Sequence, residues 1–511
     1  MDWADLATAT FWTLYTFLMV MVSVYGLHRY VLVLLYYRNR KRAPKLGGQF
    51  EELPCVTIQL PMYNERLVAR RIIERSCRID YPRDRLQIQV LDDSTDDTAE
   101  IARQAVEEAR AKGFDIEYIH RDDRTGFKAG ALENGLRSAK GEFITIFDAD
   151  FIPETDFLKR SMDYFLDPKV CAVQSRWEHL NRDESLLTRS QAIFLDGHFA
   201  IEHVARNRSD RFMSFNGTAG TWRRSAIEDA GGWQHDTLTE DLDLSLRAQL
   251  KGWRFVFLPD LTAPAELPPE MNAFKAQQFR WTKGGAQTTL KLLPKVLLSK
   301  LPLKVKIEAF FQLTCFTMHI YVFGLVLLLF PAMLIRTDPE VAHSITRAAF
   351  ELSVFALATL SASVFYVASQ VVLFGDWRSA VKYLPVMMAL GVGLCISNTK
   401  AILEALFGRK SDFVRTPKYG GQALSAASSD RSKTKRRRKL LPYIEFAMGM
   451  YMAFCAVASL TFALSPLTAP FLIMFAFGFF YVSVMSFHAD HVRNTAEDRD
   501  ALRAETVRQE A

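Results

Sequence analysis

Cysteine is scarce in this 511-residue chain, and its placement argues against two common classes of site. The six cysteines, at positions 55, 77, 171, 315, 395 and 455, form no CxxC pair and no Cys/His cluster. A zinc site is therefore not expected, and the soluble part is expected in a reducing, cytosolic compartment. A cleaved signal peptide is not expected either, because the acidic residues Asp2 and Asp5 precede the first apolar run.

The chain also lacks a strong net charge and an internal repeat. Its formal charge is +6, and the basic residues are locally concentrated, which indicates membrane topology rather than binding to nucleic acid. Hydrophobic residues make up 49% of the chain and charged residues 23%. This combination predicts a soluble globular part joined to membrane spans.

Long apolar runs predict five membrane-spanning helices. The first, Phe11–Tyr37, is followed at once by basic residues at positions 38, 40, 41, 42 and 45. By the positive-inside rule, the N-terminus lies outside and the following segment is cytosolic. The other predicted spans are Ala309–Ile335, Phe350–Phe374, Pro442–Leu464 and Leu467–His488.

Residues 381–408 are the ambiguous part of this topology. The apolar run Tyr383–Ser397 is short for a span and continues into polar residues. If it crossed the membrane, the basic run Arg431–Lys439 would face outside, against the positive-inside rule. We therefore predict an interfacial or re-entrant helix pair, although hydropathy alone would count this segment as transmembrane.

Residues 270–306 combine leucines with lysines and are interrupted by prolines. This composition predicts basic amphipathic helices on the cytosolic surface of the membrane, in contact with membrane lipid.

Strands alternate with helices between residues 50 and 270. The predicted strands include Cys55–Leu60, Gln87–Leu91, Ile116–Ile119 and Phe143–Phe147. This alternation predicts a largely parallel sheet that binds its ligands at the carboxyl ends of the strands. Asp92, Asp93 and Asp148 fall at such ends, which favours a nucleotide site.

Asp148 and Asp150 are the predicted metal ligands. Their spacing at a strand end lets two carboxylates approach one hard divalent cation, and Mg²⁺ or Mn²⁺ prefers such oxygen ligands and bridges to phosphates. The alternative is an ordinary strand-terminating turn.

Asp92, Asp93 and Lys128 are candidates for holding a nucleotide. The two aspartates end the second strand, where they would hold the base and the ribose, or merely cap the next helix. Lys128 lies in a glycine-flanked turn before a helix and would contact a phosphate. A solvated surface lysine is the alternative.

Asp241 is the predicted general base, because an inverting transfer needs one carboxylate against the acceptor hydroxyl. Glu240 and Asp243 are its acidic neighbours. The alternative is that these acids only favour a helix N-terminus through the helix dipole.

Gln277, Arg280 and Trp281 form a QxxRW motif on a predicted helix. Arg280 would neutralise a departing diphosphate, and Trp281 offers a flat face to an acceptor sugar ring. Gln277 supplies an amide on the same helical face. A Trp–Arg membrane anchor is the alternative.

Taken in order, the motifs D, DxD, TED and QxxRW resemble those of membrane-embedded, processive family 2 glycosyltransferases such as cellulose synthase. Other segments are similar to the β-mannan and glucomannan synthases of the cellulose synthase-like A group. They are PMYNE at 61–65, LDDSTD at 91–96, VQSRW at 173–177, FNGTAGTWR at 215–223 and AGGW at 230–233.

This resemblance implies an α/β GT-A (Rossmann-like) catalytic domain, cytosolic and inserted in an α-helical transmembrane bundle. It also implies inversion at the anomeric carbon, a divalent metal ion and secretion of the growing chain. By carry-over, Tyr63 and Asp93 bind the nucleoside. Asp148 and Asp150 bind the diphosphate and the metal, and Asp241 is the base.

The remaining carry-over concerns the acceptor side. Gln277, Arg280 and Trp281 form the pyrophosphate and acceptor site. The segment FVRTPK at 413–418, which contains Thr416 and Lys418, resembles the gating loop that closes over the nucleotide sugar.

The sequence therefore predicts an inverting, membrane-integral hexosyltransferase that polymerises a β-linked hexose glycan of the β-1,4-glucan or mannan type and translocates it. UDP-glucose and GDP-mannose are both open as donors. The acceptor is the growing glycan or a lipid, nucleic acid is not an expected partner, and accessory export subunits stay open. A non-processive enzyme that makes a glycolipid or a short oligosaccharide is the alternative, and a catalytically silent scaffold is a remote one.

The expected location is the bacterial inner membrane, and the chain divides into seven parts. They are 1–46 (first span and basic stop), 47–270 (catalytic domain), 271–306 (interface helices with QxxRW), 307–375 (two spans), 376–440 (interfacial helix, gating-like loop and basic loop), 441–489 (two spans) and 490–511 (charged cytosolic tail).

Overall fold

The computed structural model describes residues 3–335, 345–409, 415–421, 440–461 and 468–510. The predicted basic run Arg431–Lys439 and the first two residues of the gating-like segment, Phe413 and Val414, lie outside these ranges.

Seven strands form one mixed sheet in the order β3-β2-β1-β4-β6-β5-β7. They are β1 (Val56–Met62), β2 (Leu86–Asp92), β3 (Asp115–His120), β4 (Phe143–Ile146), β5 (Val170–His179), β6 (Gly220–Arg223) and β7 (Arg254–Ala265). Strand β1 runs parallel to β2 and β4, β2 to β3, and β5 to β7, whereas β6 is antiparallel to both β4 and β5. The predicted GT-A-like, largely parallel sheet is confirmed.

Short helices cover the sheet. They are α2 (Ala69–Ser76), α3 (Thr98–Ala111), α4 (Phe127–Leu136), α5 (Phe157–Met162), α6 (Leu186–Asp196), α7 (Val204–Arg208), α8 (Arg224–Asp229) and α9 (Glu240–Leu250). A π-helical segment, Gly197–His203, joins α6 to α7. Short 3₁₀ turns occupy Arg83–Arg85, Asp163–Leu166 and Cys315–Thr317.

Longer helices flank this domain. They are α1 (Trp3–Asn39), α10 (Met271–Leu298), α11 (Leu303–Thr314), α12 (Met318–Ile335), α13 (Ile345–Phe374), α14 (Trp377–Gly393), α15 (Cys395–Leu406), α16 (Leu441–Thr461) and α17 (Ala469–Glu510).

The sheet has an apolar core on each face. Because successive side chains of a strand point to opposite faces, the neighbours Phe143 and Ile144 of β4 belong to different buried clusters. The cluster around Ile144 also contains Leu32 of α1 and Phe365 of α13. The N-terminal helix and α13 therefore pack directly on the catalytic domain.

Among the residues that the structure describes, four helical stretches are long and apolar enough to cross a membrane, which indicates a multi-pass membrane protein. They are Asp5–Asn39, Leu303–Ile335, Leu441–Thr461 and Ala469–Val492. The predicted span 350–374 falls within the 30-residue helix α13, in which Thr359–Phe374 is an apolar stretch.

The ambiguous segment 381–408 forms two helices bent by 41°, Ala380–Gly393 and Cys395–Leu406, as in a broken span or a re-entrant loop. The pair of helices agrees with the prediction from the sequence. That this pair lies in the interface or re-enters the membrane, rather than crossing it, stays a prediction. The predicted proline interruption of 270–306 is observed at Pro302, which precedes α11, whereas α10 continues through Pro294.

Candidate active site

A cavity of about 180 Å³ opens at the carboxyl ends of the strands. It is lined by residues that follow or end β1, β2, β4, β5 and β7, and α10 and the segment 415–421 close its other sides. Twelve of the thirteen predicted site residues line it. These are Tyr63, Asp93, Lys128, Asp148, Asp150, Glu240, Asp241, Gln277, Arg280, Trp281, Thr416 and Lys418.

Asp148 and Asp150 each face a lysine. Asp148 follows β4, and its Oδ1 lies 2.5 Å from Lys128 Nζ, which also donates to the Gly217 carbonyl. Asp150 is 1% exposed, and its Oδ1 lies 2.7 Å from Lys418 Nζ. The two carboxylates are thus compensated by ammonium groups at the position where a divalent cation is expected.

The cavity wall near β1 and β2 is aromatic and cationic. The Arg124 guanidinium lies 3.4 Å from the centroid of the Tyr63 ring and 5.0 Å from that of Phe127. Asp93 accepts two hydrogen bonds from Arg121, at 2.8 and 2.5 Å. An aromatic ring beside a fixed carboxylate is suited to a nucleoside, since the ring can stack on the base and the carboxylate can accept hydrogen bonds from the ribose hydroxyls.

Asp92 is the predicted site residue that does not line the cavity. It is fully buried at the end of β2, where its Oδ1 accepts from the Ser94 amide at 2.9 Å and its Oδ2 from the Tyr118 hydroxyl at 2.7 Å. From the sequence, Asp92 was expected to hold the base or the ribose, or else to cap the next helix. Asp96 does accept from the Thr98 amide, but Asp92 is engaged by β3.

Asp241 lies in the first turn of α9 and lines the same cavity as Asp148 and Asp150. Burial, together with the neighbouring Glu240 charge, raises the pKa of its carboxyl to about 7, whereas Lys128 opposes this shift. Gly217 has a φ of +79°, and a Cβ there would lie 3.1 Å from Asp241 Oδ2. The glycine therefore lets the backbone approach the candidate base closely.

Helix α10 presents the QxxRW residues as one group. Gln277, Arg280 and Trp281 are three and four residues apart, which places them on one helical face, and all three line the cavity. Burial lowers the pKa of the Arg280 guanidinium, and Glu240 and Asp148 counteract this effect. An arginine aimed at acidic groups in a half-buried wall is suited to an incoming diphosphate.

The segment 415–421 is fastened to the cavity rim by carboxylates that sequence reasoning missed. Glu266 accepts from the backbone amides of Tyr419 and Gly420, at 2.9 and 3.0 Å, and from Arg71 at 2.9 Å. Burial raises the pKa of the Glu65 carboxyl to about 7, and Arg415, 3.8 Å away, opposes the shift.

Some of these missed residues had a signal in the sequence. Glu65 belongs to the PMYNE motif, and Glu266 directly follows β7, as the predicted aspartates follow their strands. In the described part of the chain, no group of three or more His, Cys, Asp or Glu side chains is arranged to hold a metal ion by itself.

Comparison with known proteins points to one family. A family profile described as "Glycosyltransferase like family 2" matches residues 54–284. Glucomannan 4-beta-mannosyltransferase 7 of Arabidopsis thaliana is 33% identical over 453 residues, which are 84% of this chain and 78% of that protein. Glucomannan 4-beta-mannosyltransferase 9 of the same plant is 37% identical over 415 residues, covering 78% and 75%.

A solved structure shares the fold. The mannosyltransferase PcManGT from Pyrobaculum calidifontis, solved in complex with GDP-Man and Mn²⁺, matches 78% of this chain and all of that chain, at 21% identity and a TM-score of 0.51. The fold and the relatives agree, and the protein belongs to glycosyltransferase family 2, in the glucomannan mannosyltransferase-like (cellulose synthase-like A) group of the cellulose synthase superfamily.

Proposed function

We propose that the protein is an inverting, membrane-integral hexosyltransferase that polymerises a β-linked hexose glycan from a nucleotide sugar and moves the product across the membrane. One observation carries the proposal: a single cavity at the strand ends brings together Asp241, the pair Asp148 and Asp150, and Arg280. These residues come from three separate parts of the chain, and together they provide the base and the charge compensation that glycosyl transfer needs.

Asp241 is the proposed general base. A carboxyl with a pKa of about 7 is partly ionised at neutral pH and is basic enough to take a proton in the transition state. It accepts the proton of the acceptor hydroxyl while that oxygen attacks the anomeric carbon from the face opposite the leaving group. The bond between the anomeric carbon and the diphosphate oxygen breaks, and the nucleoside diphosphate leaves with the electron pair.

Arg280 and Lys128 are the proposed cations for the departing diphosphate, since both line the cavity and face its acidic groups. Asp148 and Asp150 fit Mg²⁺ or Mn²⁺, because both are hard oxygen donors at one strand end and both already face a cation. Bound there, the ion would neutralise charge on the diphosphate. Tyr63 and Asp93 are the proposed nucleoside contacts, and Gln277 and Trp281 the proposed acceptor contacts.

The names of the relatives support mannosyl transfer, so GDP-mannose is the first donor to test and UDP-glucose the second. The acceptor is proposed to be the growing glycan, and the catalytic domain is proposed to be cytosolic. The two relatives are plant proteins and give no support to the expected bacterial inner membrane, which stays a prediction, as do accessory export subunits.

The test uses the purified full-length chain in nanodiscs with Mn²⁺ or Mg²⁺. Radiolabelled GDP-mannose, UDP-glucose, UDP-N-acetylglucosamine and UDP-galactose are supplied separately, and products are sized and digested with linkage-specific hydrolases. We expect a long β-linked polymer from one donor. A short, lipid-extractable product would instead support the non-processive alternative.

The role of Asp241 is tested by Asp241→Asn, which removes the base at nearly constant volume. We expect kcat to fall about 10²- to 10⁴-fold. Asp236→Asn is the matched control, because Asp236 is 58% exposed and contacts only Lys291 among the ion pairs described. Full activity of Asp241→Asn would contradict the mechanism.

A further inference from the structure

The π-helical segment Gly197–His203 carries two histidines that the mechanism above does not use. His198 and His203 are five residues apart, and in an α-helix of 3.6 residues per turn their side chains would point about 140° apart. The wider π turn, closed by hydrogen bonds from i to i+5, brings residues five apart close together. The ring centroids of His198 and His203 are 4.3 Å apart.

Both histidines hold the side chain of Asn216, a residue of the cavity wall. His203 Nε2 lies 2.5 Å from Asn216 Oδ1, and Asn216 Nδ2 lies 2.9 Å from His198 Nε2. In this arrangement His203 donates through Nε2, and the amide donates to His198. Burial, reinforced by His198, holds the pKa of His203 well below its ordinary value, in agreement with a neutral ring.

The remaining partners fix the tautomer of His198. Its Nε2 accepts from Asn216, so Nδ1 carries the proton and donates to Glu202 Oε2 at 3.0 Å. Burial opposes ionisation of Glu202, but Arg206 and His198 outweigh it and hold its pKa below the ordinary value. Glu202 is therefore a carboxylate, which can only accept, and the Asn216 amide has one favoured orientation.

The same chain of contacts continues to the membrane helices. Arg206 donates to Glu202 at 3.2 Å and to Glu308 of α11 at 3.0 Å. Glu308 in turn lies 3.1 Å from His28 Nε2 of α1. The side chains of Arg206 and Glu308 are only 5% and 3% exposed, so this pairing is shielded from competing water. The π segment is thus anchored on both α1 and α11.

Asn216 lies beside the proposed chemistry. Its backbone amide donates to Gln174 Oε1 at 3.0 Å. The carbonyl of the next residue, Gly217, accepts from Lys128, and a Cβ at Gly217 would lie 3.1 Å from Asp241 Oδ2. One Nδ2 hydrogen is used on His198, which leaves the second for an oxygen of a bound substrate.

We propose that His198 and His203 are positioning residues for the glycosyl transfer: they hold the Asn216 amide so that its free N–H addresses a sugar oxygen in the cavity. This inference rests on the proposed function. It adds two residues that touch no substrate and act through a third.

A double-mutant cycle on the full-length chain in nanodiscs tests the proposal, with kcat and donor KM measured separately. His198→Phe keeps the ring and removes both nitrogens, whereas His198→Gln supplies an acceptor and a donor. We expect His198→Phe to lower kcat/KM about tenfold, which lies within the range of interaction energies between residues in contact. We expect His198→Gln to recover part of this loss. In an Asn216→Ala background His198→Phe should have no further effect. An undiminished tenfold effect there would overturn the proposal.

The matched control is the partly buried pair His319 and Asn398, whose Nε2 and Nδ2 lie 3.0 Å apart and which does not line the cavity. Whatever His319→Phe does alone, its effect should be the same with and without Asn216→Ala.

Side-chain ¹⁵N spectra of histidine-labelled protein give a readout that does not depend on activity. We expect His198 protonated at Nδ1 and His203 at Nε2. In Asn216→Ala the His203 assignment should be lost, whereas His198 should keep its proton on Nδ1 because Glu202 still accepts it. If the wild-type chain makes no glycan, the proposed function fails, while these spectra still decide whether the histidines hold the amide. Mixed tautomers in the wild type would refute the inference.

Discussion

Lys418 Nζ lies 2.7 Å from Asp150 Oδ1, so a side chain of the segment 415–421 neutralises one of the two proposed metal ligands. The two residues are far apart in sequence and meet because Glu266 fastens the backbone at Tyr419 and Gly420 to the cavity rim. A divalent cation that binds Asp150 must displace this ammonium group. Position of the segment and metal binding are therefore linked.

Lys418→Met should make Mn²⁺ bind about fivefold more tightly, equivalent to about 1 kcal/mol, because the ion no longer competes with a lysine. Electron paramagnetic resonance of free Mn²⁺ during a titration measures this directly, without turnover. Lys140→Met removes the same charge from an exposed pair with Asp115 and is the control. Equal affinity in the two variants would contradict the linkage.

Glu240→Gln should move the acid limb of the pH–rate profile to lower pH. Burial is the main cause of the raised pKa of Asp241, and the adjacent Glu240 charge is the next. Wild-type kcat/KM should therefore rise as the pH increases through about 7, and removal of Glu240 should let Asp241 ionise earlier. Profiles between about pH 5.5 and 8.5 show the shift, and an unmoved limb would exclude Asp241 as the titrating group.

The raised pKa of Asp241 makes stability depend on pH in the opposite direction from activity. The folded state favours the neutral carboxyl of Asp241, so its contribution to stability is complete below the ordinary aspartate pKa and is lost as the pH rises through about 7.

Gly217→Ala should lower kcat more than it lowers stability. The substitution places a Cβ 3.1 Å from Asp241 Oδ2 at a φ of +79°. Gly252→Ala is the matched control, because it has a φ of +95° and nothing within 4 Å of the added carbon. Both should lose about 1 kcal/mol in the free energy of unfolding from backbone strain, but only the first should lose activity. Equal kcat values would show that the close approach is unimportant.

Asp93→Ala and Asp92→Ala should separate binding from folding. Asp93 lines the cavity, so its removal should raise the KM for the donor. Asp92 satisfies the Tyr118 hydroxyl and the Ser94 amide, so its removal should cost about 1–3 kcal/mol in the free energy of unfolding with little change in KM. Thermal unfolding and initial rates of both variants measure the two effects, and a KM effect confined to Asp92→Ala would reverse the assignment.

The sequence predicted the site residues that follow from strand ends and helix spacing. Asp148 follows a buried parallel strand, and Arg280 and Trp281 share a helical face with Gln277, so local patterns were sufficient. The antiparallel insertion of β6 was not predictable, because it depends on pairing with strands that are distant in sequence. Local patterns cannot show which of two adjacent strand residues faces the ligand, and for that reason Asp92 was predicted together with Asp93.

Contacts between residues that are distant in sequence were not predictable either. Glu266 and Tyr419 are separated by 153 residues, and the contact between them forms only when the segment 415–421 returns to the end of β7. His198 and His203 would be assigned to different faces of an α-helix, so their common contact with Asn216 becomes visible only with the π geometry.

The π segment also determines where the chain tolerates a change of length. Removing one residue between Gly197 and His203 would narrow the wide turn to α-helical spacing, and the helix beyond it would keep nearly the same orientation, because a π turn holds one more residue than an α turn. Arg206 would therefore still face Glu308, and the catalytic domain would keep this buried tie to α11. A deletion within the α-helical part of α6 would instead rotate everything beyond it by about 100°. The π segment is therefore the place where this helix tolerates the loss of one residue best.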